Sequence, residues 1–162
     1  MNTSIQTLEI NASVEQVWDI LFNQYGEIHI HNPTMQSSNY LNNAMKGEIN
    51  VVRHCQFTDK LFLDEKITDF KENESVTIEV IQHNLPLLKH LSATYKLKSL
   101  EHNKTELRMV SQNSASPGFM IHLMKGRLRK NVGQHLFGMK YYIETGKTVN
   151  MENYQEIYNS YK

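Results

Sequence analysis

Apolar and polar residues alternate with a period of two over much of the chain, which is the pattern of β-strands with one buried face. An opening segment, Thr3–Ile10, shows this alternation imperfectly. Short turn-like breaks separate the later segments, so we predict that neighbouring strands pair antiparallel and form one seven-stranded sheet. The later segments are Gln36–Leu41, Glu48–Phe57, Leu61–Phe70, Ser75–His83, His90–Leu100 and Thr105–Gln112.

The pattern changes to a helical one directly after the first strand. Ser13 is suited to cap a helix, and Gln16 stands three positions on, as a capping box requires. We predict that this helix ends at Gly26 and that Pro33 then leads the chain into the second strand. Its apolar face consists of Val14, Val17, Trp18 and Leu21.

A long C-terminal helix is predicted from an apolar stripe that recurs every three or four residues. Ser116 and Pro117 suit its start, and Gly146 suits its end. The stripe requires a large apolar partner, and the sheet is the one available. Its residues are Ile121, Met124, Leu128, Val132, Leu136, Met139 and Ile143.

Residues 1–147 are therefore predicted to form one α+β domain, with the long helix packed on the sheet. The remaining residues, 148–162, form a tail in which tyrosines and an isoleucine recur at helical spacing. We predict a short helix there, packed on the domain or on a partner chain. Its periodic residues are Tyr154, Ile157, Tyr158 and Tyr161.

Composition narrows the classes of function. The chain has 162 residues with 17 basic and 17 acidic side chains, so it lacks the broad positive field that drives nucleic-acid binding. A single cysteine, Cys55, excludes an internal disulfide and favours a reducing compartment. The start of the chain lacks the features of a signal peptide, and the apolar runs are too short to span a bilayer. We expect a cytoplasmic protein, monomeric or homodimeric, without integral membrane association.

The order strand, short helices, six antiparallel strands and long helix resembles the helix-grip fold of the START/birch-pollen-allergen superfamily, called SRPBCC. Within it, the chain resembles proteins described as polyketide cyclase/dehydrase-like. The resemblance covers nearly the whole chain and rests on packing motifs. These are "NASVEQVWDILFNQYG", "NP" followed by "SS", "GEINVVRHC", "LFLDEKITDF" and "SPGFMIHLMKGRLRKNVGQHLFGMKYYIETG".

The resemblance implies a cavity between the curved sheet and the long helix, which would hold a hydrophobic or amphipathic small molecule without a cofactor. We expect the wall to include residues of the helical stripe. These are Met124, Leu128, Val132, Leu136 and Met139.

The stretch "GEIHIHNP" carries His29 and His31 two positions apart. In an extended segment both imidazoles would face the same way and could share a zinc ion, but in a helical segment they would diverge. The local sequence offers Glu27 as a third ligand and nothing further, so we predict no metal site. The resemblance places the stretch near the cavity mouth, where the histidines either line the opening or face solvent.

Polar candidates also occur on the strands. Arg53 and Cys55 share one strand face, and Glu65 lies between apolar residues on the next strand, where Arg53 is its natural partner. This pair either orients a ligand or ties two strands together. Tyr95 either points a hydroxyl into the cavity or packs in the core, and Cys55 is predicted to be a buried apolar residue rather than a nucleophile.

The long helix adds Lys125 within the arc of its stripe and His135 at the edge. We expect Lys125 to extend past the sheet edge into solvent. The basic segment "KGRLRK" spreads its charges around the helix, which indicates a solvated face rather than a nucleic-acid patch.

Three functions follow from these observations. The first is binding of an apolar or amphipathic small molecule in the cavity. The second is a cyclase, dehydratase or hydrolase that uses an inward histidine or glutamate as general acid or base. The third is a protein-interaction module that uses the tyrosine-rich tail. The sequence contains no catalytic signature, so whether the protein is an enzyme stays open.

Overall fold

The protein forms a single seven-stranded antiparallel sheet, as predicted. The structure, a computed structural model, describes residues 1–161. The strands follow one another in the order β1-β7-β6-β5-β4-β3-β2, so β1 and β2 are the two edges. The strands are β1 (Asn2–Ile10), β2 (Ser37–Tyr40), β3 (Val52–Thr58), β4 (Leu61–Lys71), β5 (Ser75–His83), β6 (Leu88–Leu100) and β7 (Lys104–Ala115).

Strand β3 is shorter than the alternation predicted. The prediction began it at Glu48, but the chain is extended only from Val52. Residues before that point form a turn closed by the Val51 N–H, which donates to the Glu48 carbonyl at 3.1 Å. Asn50 has a φ of 65°, a left-handed conformation that breaks an extended strand.

The connection between β1 and β2 holds three short helical segments. The first, α1 (Val14–Trp18), has the predicted capping box: the Gln16 N–H donates to Ser13 Oγ at 3.3 Å, and the Ser13 N–H donates to Gln16 Oε1 at 3.0 Å. A π-helical turn (Asp19–Asn23) and a 3₁₀ helix (Tyr25–Ile30) follow.

The prediction that Gly26 ends the helix was wrong, because Gly26 lies inside the 3₁₀ helix. A side chain at this position would overlap the ring of Tyr40. Gly26 is therefore required for close packing of the 3₁₀ helix against β2 rather than for helix termination.

The long helix, α2 (Met120–Thr145), begins later than predicted. Ser116 and Pro117 lie in the preceding loop, and Phe119 occupies the capping position without a side-chain hydrogen bond. Gly146 ends the helix with a φ of 70°, as predicted. A short helix, α3 (Tyr154–Ser160), follows in the tail. The last residue of the predicted tail, Lys162, lies outside the described residues.

The main hydrophobic core lies under one half of α2. Leu136 and Met139, from the C-terminal half of the helix, belong to the same core cluster as Trp18 and Phe22 of the short helices and buried residues of β6 and β7. The N-terminal half of α2 contributes neither Met124 nor Leu128 to this core, and space remains between that half and the sheet. Within the described part of the chain, no helix combines the length and apolar character needed to cross a membrane.

Candidate ligand-binding cavity

A cavity of about 590 Å³ lies between the N-terminal half of α2 and the sheet. This volume is within the range that proteins use for small organic ligands. Most of the wall is apolar and comes from β4 to β7, α2 and the β5–β6 connection. Its apolar residues include Ile28, Phe57, Leu61, Leu63, Ile78, Val80, Leu85, Leu91, Ala93, Met109, Met120, Met124, Leu128 and Val132.

A buried ion pair forms one polar part of the wall. β3 and β4 place Arg53 directly opposite Glu65, and Arg53 Nη2 and Nε lie 2.7 Å and 2.8 Å from Glu65 Oε2. Arg53 Nη1 donates to the Tyr25 carbonyl at 2.9 Å, and the guanidinium lies 4.0 Å from the centre of the Tyr25 ring. Although burial opposes it, the Glu65 carboxylate raises the pKa of Arg53 above its ordinary value. The guanidinium is therefore charged, its charge is balanced by Glu65, and each of its three nitrogens has a close oxygen partner.

Only one of the two carboxylate oxygens of Glu65, Oε2, has polar partners among the described residues. Both Arg53 contacts and the 3.5 Å hydrogen bond from the Cys55 thiol fall on Oε2. Within residues 1–161, Oε1 is the oxygen that stays available to a molecule in the cavity. Cys55 is fully buried, as predicted, and burial raises the pKa of its thiol, with the negative charge of Glu65 acting in the same direction.

A second polar cluster joins β6, α2 and the 3₁₀ segment. The Tyr95 hydroxyl and His135 Nε2 are 3.3 Å apart, and the His31 ring lies 5.9 Å from the His135 ring, centre to centre. Tyr95 and His135 line the cavity, and all three residues are at most 6% exposed. The Nδ1 atoms of His31 and His135 are buried and have no hydrogen-bond partner among the described residues.

Burial sets the charge state of this cluster. It lowers the pKa of His135 to about 4, and the positive charge of Arg53 acts in the same direction while Glu65 opposes it. Burial also lowers the pKa of His31 well below its ordinary value, with further lowering by His135, Arg53 and His29. Both imidazoles are therefore neutral at pH 7.

The two histidines of "GEIHIHNP" diverge, as expected for a helical segment. His29 Nδ1 lies 2.8 Å from Ser38 Oγ, whereas His31 is buried against His135 and Tyr142 of α2. Neither is among the residues that form the cavity wall, so any ligand contact by them stays a prediction. The His, Cys, Asp and Glu side chains of residues 1–161 form no group of three that could hold a metal ion.

The apolar stripe of α2 divides between the cavity and the core. Met124, Leu128 and Val132 lie on the wall, together with Arg53, Glu65 and Tyr95 of the strands. Leu136 and Met139 are in the packed core instead. Lys125 is exposed, as expected, and lies at the opening of the cavity.

Sequence reasoning missed one segment of the wall. The stretch "NLPLL" lies in the turn-like break between the predicted strands Ser75–His83 and His90–Leu100, yet its Leu85, Pro86 and Leu87 all border the cavity. The available signal was the density of leucines, since a turn exposed only to water does not require them. His135 was recognised at the edge of the stripe, but its place on the wall was not predicted.

The tail helix covers the outer side of α2. Tyr154, Tyr158 and Tyr161 surround the Phe137 ring, with ring centres between 4.9 Å and 6.3 Å away. The Tyr161 hydroxyl also donates to Glu144 of α2. These aromatic faces contact the protein's own helix.

No protein-family model matches the sequence, and no curated protein does. Solved structures do match in fold. This chain shares the helix-grip fold. Ara h 8.0201 matches with a TM-score of 0.72 at 10% identity, over 88% of this chain and 97% of that one. A protein of Nitrosospira multiformis matches with a TM-score of 0.69 at 10% identity, over 90% and 98% of the two chains. XoxI of Bacillus cereus matches with a TM-score of 0.64 at 18% identity, over 88% and 96%.

These identities establish the shared fold and assign no activity, since one fold carries many functions. The predicted fold is confirmed. The narrower resemblance to polyketide cyclase/dehydrase-like proteins stays a prediction.

Proposed function

We propose that the protein binds an amphipathic small molecule in the cavity, with an apolar body and an uncharged hydrogen-bonding end. The observation that carries the proposal is a cavity of about 590 Å³ whose apolar wall is interrupted by the Arg53–Glu65 pair and by Tyr95 and His135. This combination of an apolar wall with a few fixed polar groups is typical of small-molecule sites.

Lys125, Arg127 and Arg129 border the cavity from exposed positions of α2, whereas the buried charges of the wall, those of Arg53 and Glu65, favour an uncharged polar end beside them. The positive charge of Arg53 is already balanced by Glu65, and each of its three nitrogens already has a close oxygen partner. A ligand carboxylate placed against this pair would be buried beside the like charge of Glu65. A hydroxyl, in contrast, can donate to Glu65 Oε1 without disturbing the pair.

A displacement titration tests both whether the cavity binds a ligand and whether it prefers an alcohol to a carboxylate. The fluorescent probe N-phenyl-1-naphthylamine is bound first, and dodecanol or dodecanoate then displaces it. We expect the alcohol to displace the probe at a concentration at least about tenfold lower than the carboxylate does, which corresponds to 1.4 kcal/mol. Absence of probe binding would contradict the proposed function.

Two pairs of variants locate the site. Leu128→Trp fills the cavity and should reduce probe binding, whereas His122→Trp, on an exposed part of the same helix, should not. Glu65→Gln leaves Arg53 without its counter-charge and should shift the preference towards dodecanoate. Glu101→Gln, in an exposed turn, is the matched control. An unchanged preference in folded Glu65→Gln would contradict the role of Glu65.

A further inference from the structure

Two large exposed apolar side chains, Leu87 and Leu123, border the cavity, and a third, Phe119, directly precedes Met120 of the cavity wall. Leu123 is 72% exposed, Phe119 is 64% exposed and Leu87 is 41% exposed. A hydrogen bond of 2.9 Å from the Ser116 N–H to the Leu87 carbonyl holds the β5–β6 connection beside the start of α2. We call Leu87, Phe119 and Leu123 the mouth patch. Clustered exposure of this kind marks an interaction surface more often than isolated apolar residues do.

Basic side chains follow the mouth patch along α2. Leu123 and Phe119 are four residues apart and share one helix face, and Arg127 and Lys130 continue that face. Arg127 also borders the cavity, together with Lys125 and Arg129. The sequence of α2 contains no acidic residue before Glu144. Since the whole chain has no net charge, this positive surface is local.

We propose that the mouth of the cavity docks on the surface of an anionic lipid bilayer. The mouth patch enters the boundary between headgroups and acyl chains, and the basic residues of α2 contact lipid phosphates. This arrangement of apolar tips beside Lys and Arg is the one that binds interfaces without crossing them. Docking places the opening against the bilayer, so that an amphipathic molecule can pass between membrane and cavity without crossing water.

The two other occupants fit the surface less well. A second copy of this chain would bring Lys125, Arg127 and Arg129 against the same positive residues, which repel. A soluble polyanion would use the basic residues but would leave Phe119 and Leu123 exposed to water. An anionic bilayer is the partner that matches both the charge and the apolar side chains.

Co-sedimentation with vesicles tests the proposal on the intact chain without any cavity ligand, so its outcome is independent of the proposed function. The vesicles contain phosphatidylcholine alone or phosphatidylcholine with phosphatidylglycerol at 7:3. Each Lys or Arg near an anionic surface contributes about 1 kcal/mol, so we expect partitioning to be at least about tenfold stronger on the anionic vesicles. It should weaken when ionic strength rises, because salt screens this attraction.

Paired variants separate the apolar and the basic contributions. Phe119→Ser with Leu123→Ser should reduce partitioning by roughly tenfold, because two apolar side chains no longer enter the interface. The control Met45→Ser removes an apolar side chain that is 91% exposed in the β2–β3 connection, and it should bind like the original chain.

The basic residues are tested by Arg127→Gln with Arg129→Gln. The matched control is Lys96→Gln with Lys98→Gln, which removes two exposed charges of β6. Only the first pair should lower partitioning. Equal binding to both vesicle types, or no binding to either, would overturn the proposal. So would a dimer that the Phe119/Leu123 variant abolishes, or partitioning of that variant onto the anionic vesicles as strongly as the original chain.

Discussion

Acidification should destabilise the fold through the buried histidines on α2 and the 3₁₀ segment. A histidine in the unfolded chain has a pKa near 6.5, whereas burial lowers the pKa of His135 to about 4. Between these values the unfolded chain binds a proton that the folded chain does not. Stability is therefore complete above the unfolded pKa and declines as the pH falls below it.

The expected loss follows from the size of the shift. At pH 5 the unfolded pKa lies about 1.5 units above the pH, and each unit is worth 1.36 kcal/mol, so His135 alone accounts for about 2 kcal/mol. His31 adds to the loss in the same direction, because burial lowers its pKa as well. Among nearby charges, Arg53 strengthens the effect on His135 and Glu65 weakens it.

Urea unfolding at pH 7.5 and pH 5.0 measures this difference. The protein has one tryptophan, Trp18, which is 4% exposed, and its fluorescence reports unfolding. His135→Gln removes the titrating group and should lose about 2 kcal/mol less than the original chain on acidification. The control His122→Gln, at an exposed position, should lose as much as the original chain. Equal stability of the original chain at both pH values, or an unchanged acid loss in His135→Gln, would show that His135 is not held neutral by burial.

Three further outcomes are expected. Gly138→Ala should destabilise the fold by roughly 1–3 kcal/mol, since a Cβ there would overlap the backbone that follows the 3₁₀ helix, while Gly126→Ala, with open space around it, should not. Arg53→Met should cost roughly 3–5 kcal/mol by leaving Glu65 unpaired, and adding Glu65→Leu should recover part of that loss. Both are measured by urea unfolding. Cys55 should react with Ellman's reagent only as fast as the protein unfolds, because the thiol is buried and its pKa is raised; rapid labelling of the folded protein would contradict this.

The strands and the long helix were predictable because their side-chain periods are local properties of the sequence. The pairing of Arg53 with Glu65 was also predictable, since adjacent antiparallel strands place opposite charges side by side. The capping box of α1 and the end of α2 at Gly146 follow from equally local rules.

The division of the α2 stripe was not predictable in the same way. Leu128 and Leu136 are the same residue type at equivalent positions of the pattern, yet one borders the cavity and the other lies in the core. Leu136 belongs to a core cluster that Trp18 and Phe22 of the short helices help to fill, whereas Leu128 does not. Such filling depends on contacts between distant segments, which periodicity does not encode.

The position of the His31 side chain was not predictable from local sequence either. Its spacing from His29 allowed either an extended or a helical segment, and the two conformations send the imidazoles to different places. Packing of Gly138 against the carbonyl of His31 brings the segment directly onto α2. His31 is thereby buried beside His135, a contact between residues 104 positions apart that no local pattern reveals.

An NMR titration with dodecanol that records intermolecular nuclear Overhauser effects shows directly whether a ligand enters the cavity. We expect contacts from the alkyl chain to the methyl groups of Met109, Leu128 and Val132, which line the cavity. Contacts confined to exposed methyl groups such as that of Met45, with the three cavity methyl groups silent, would contradict binding in the cavity.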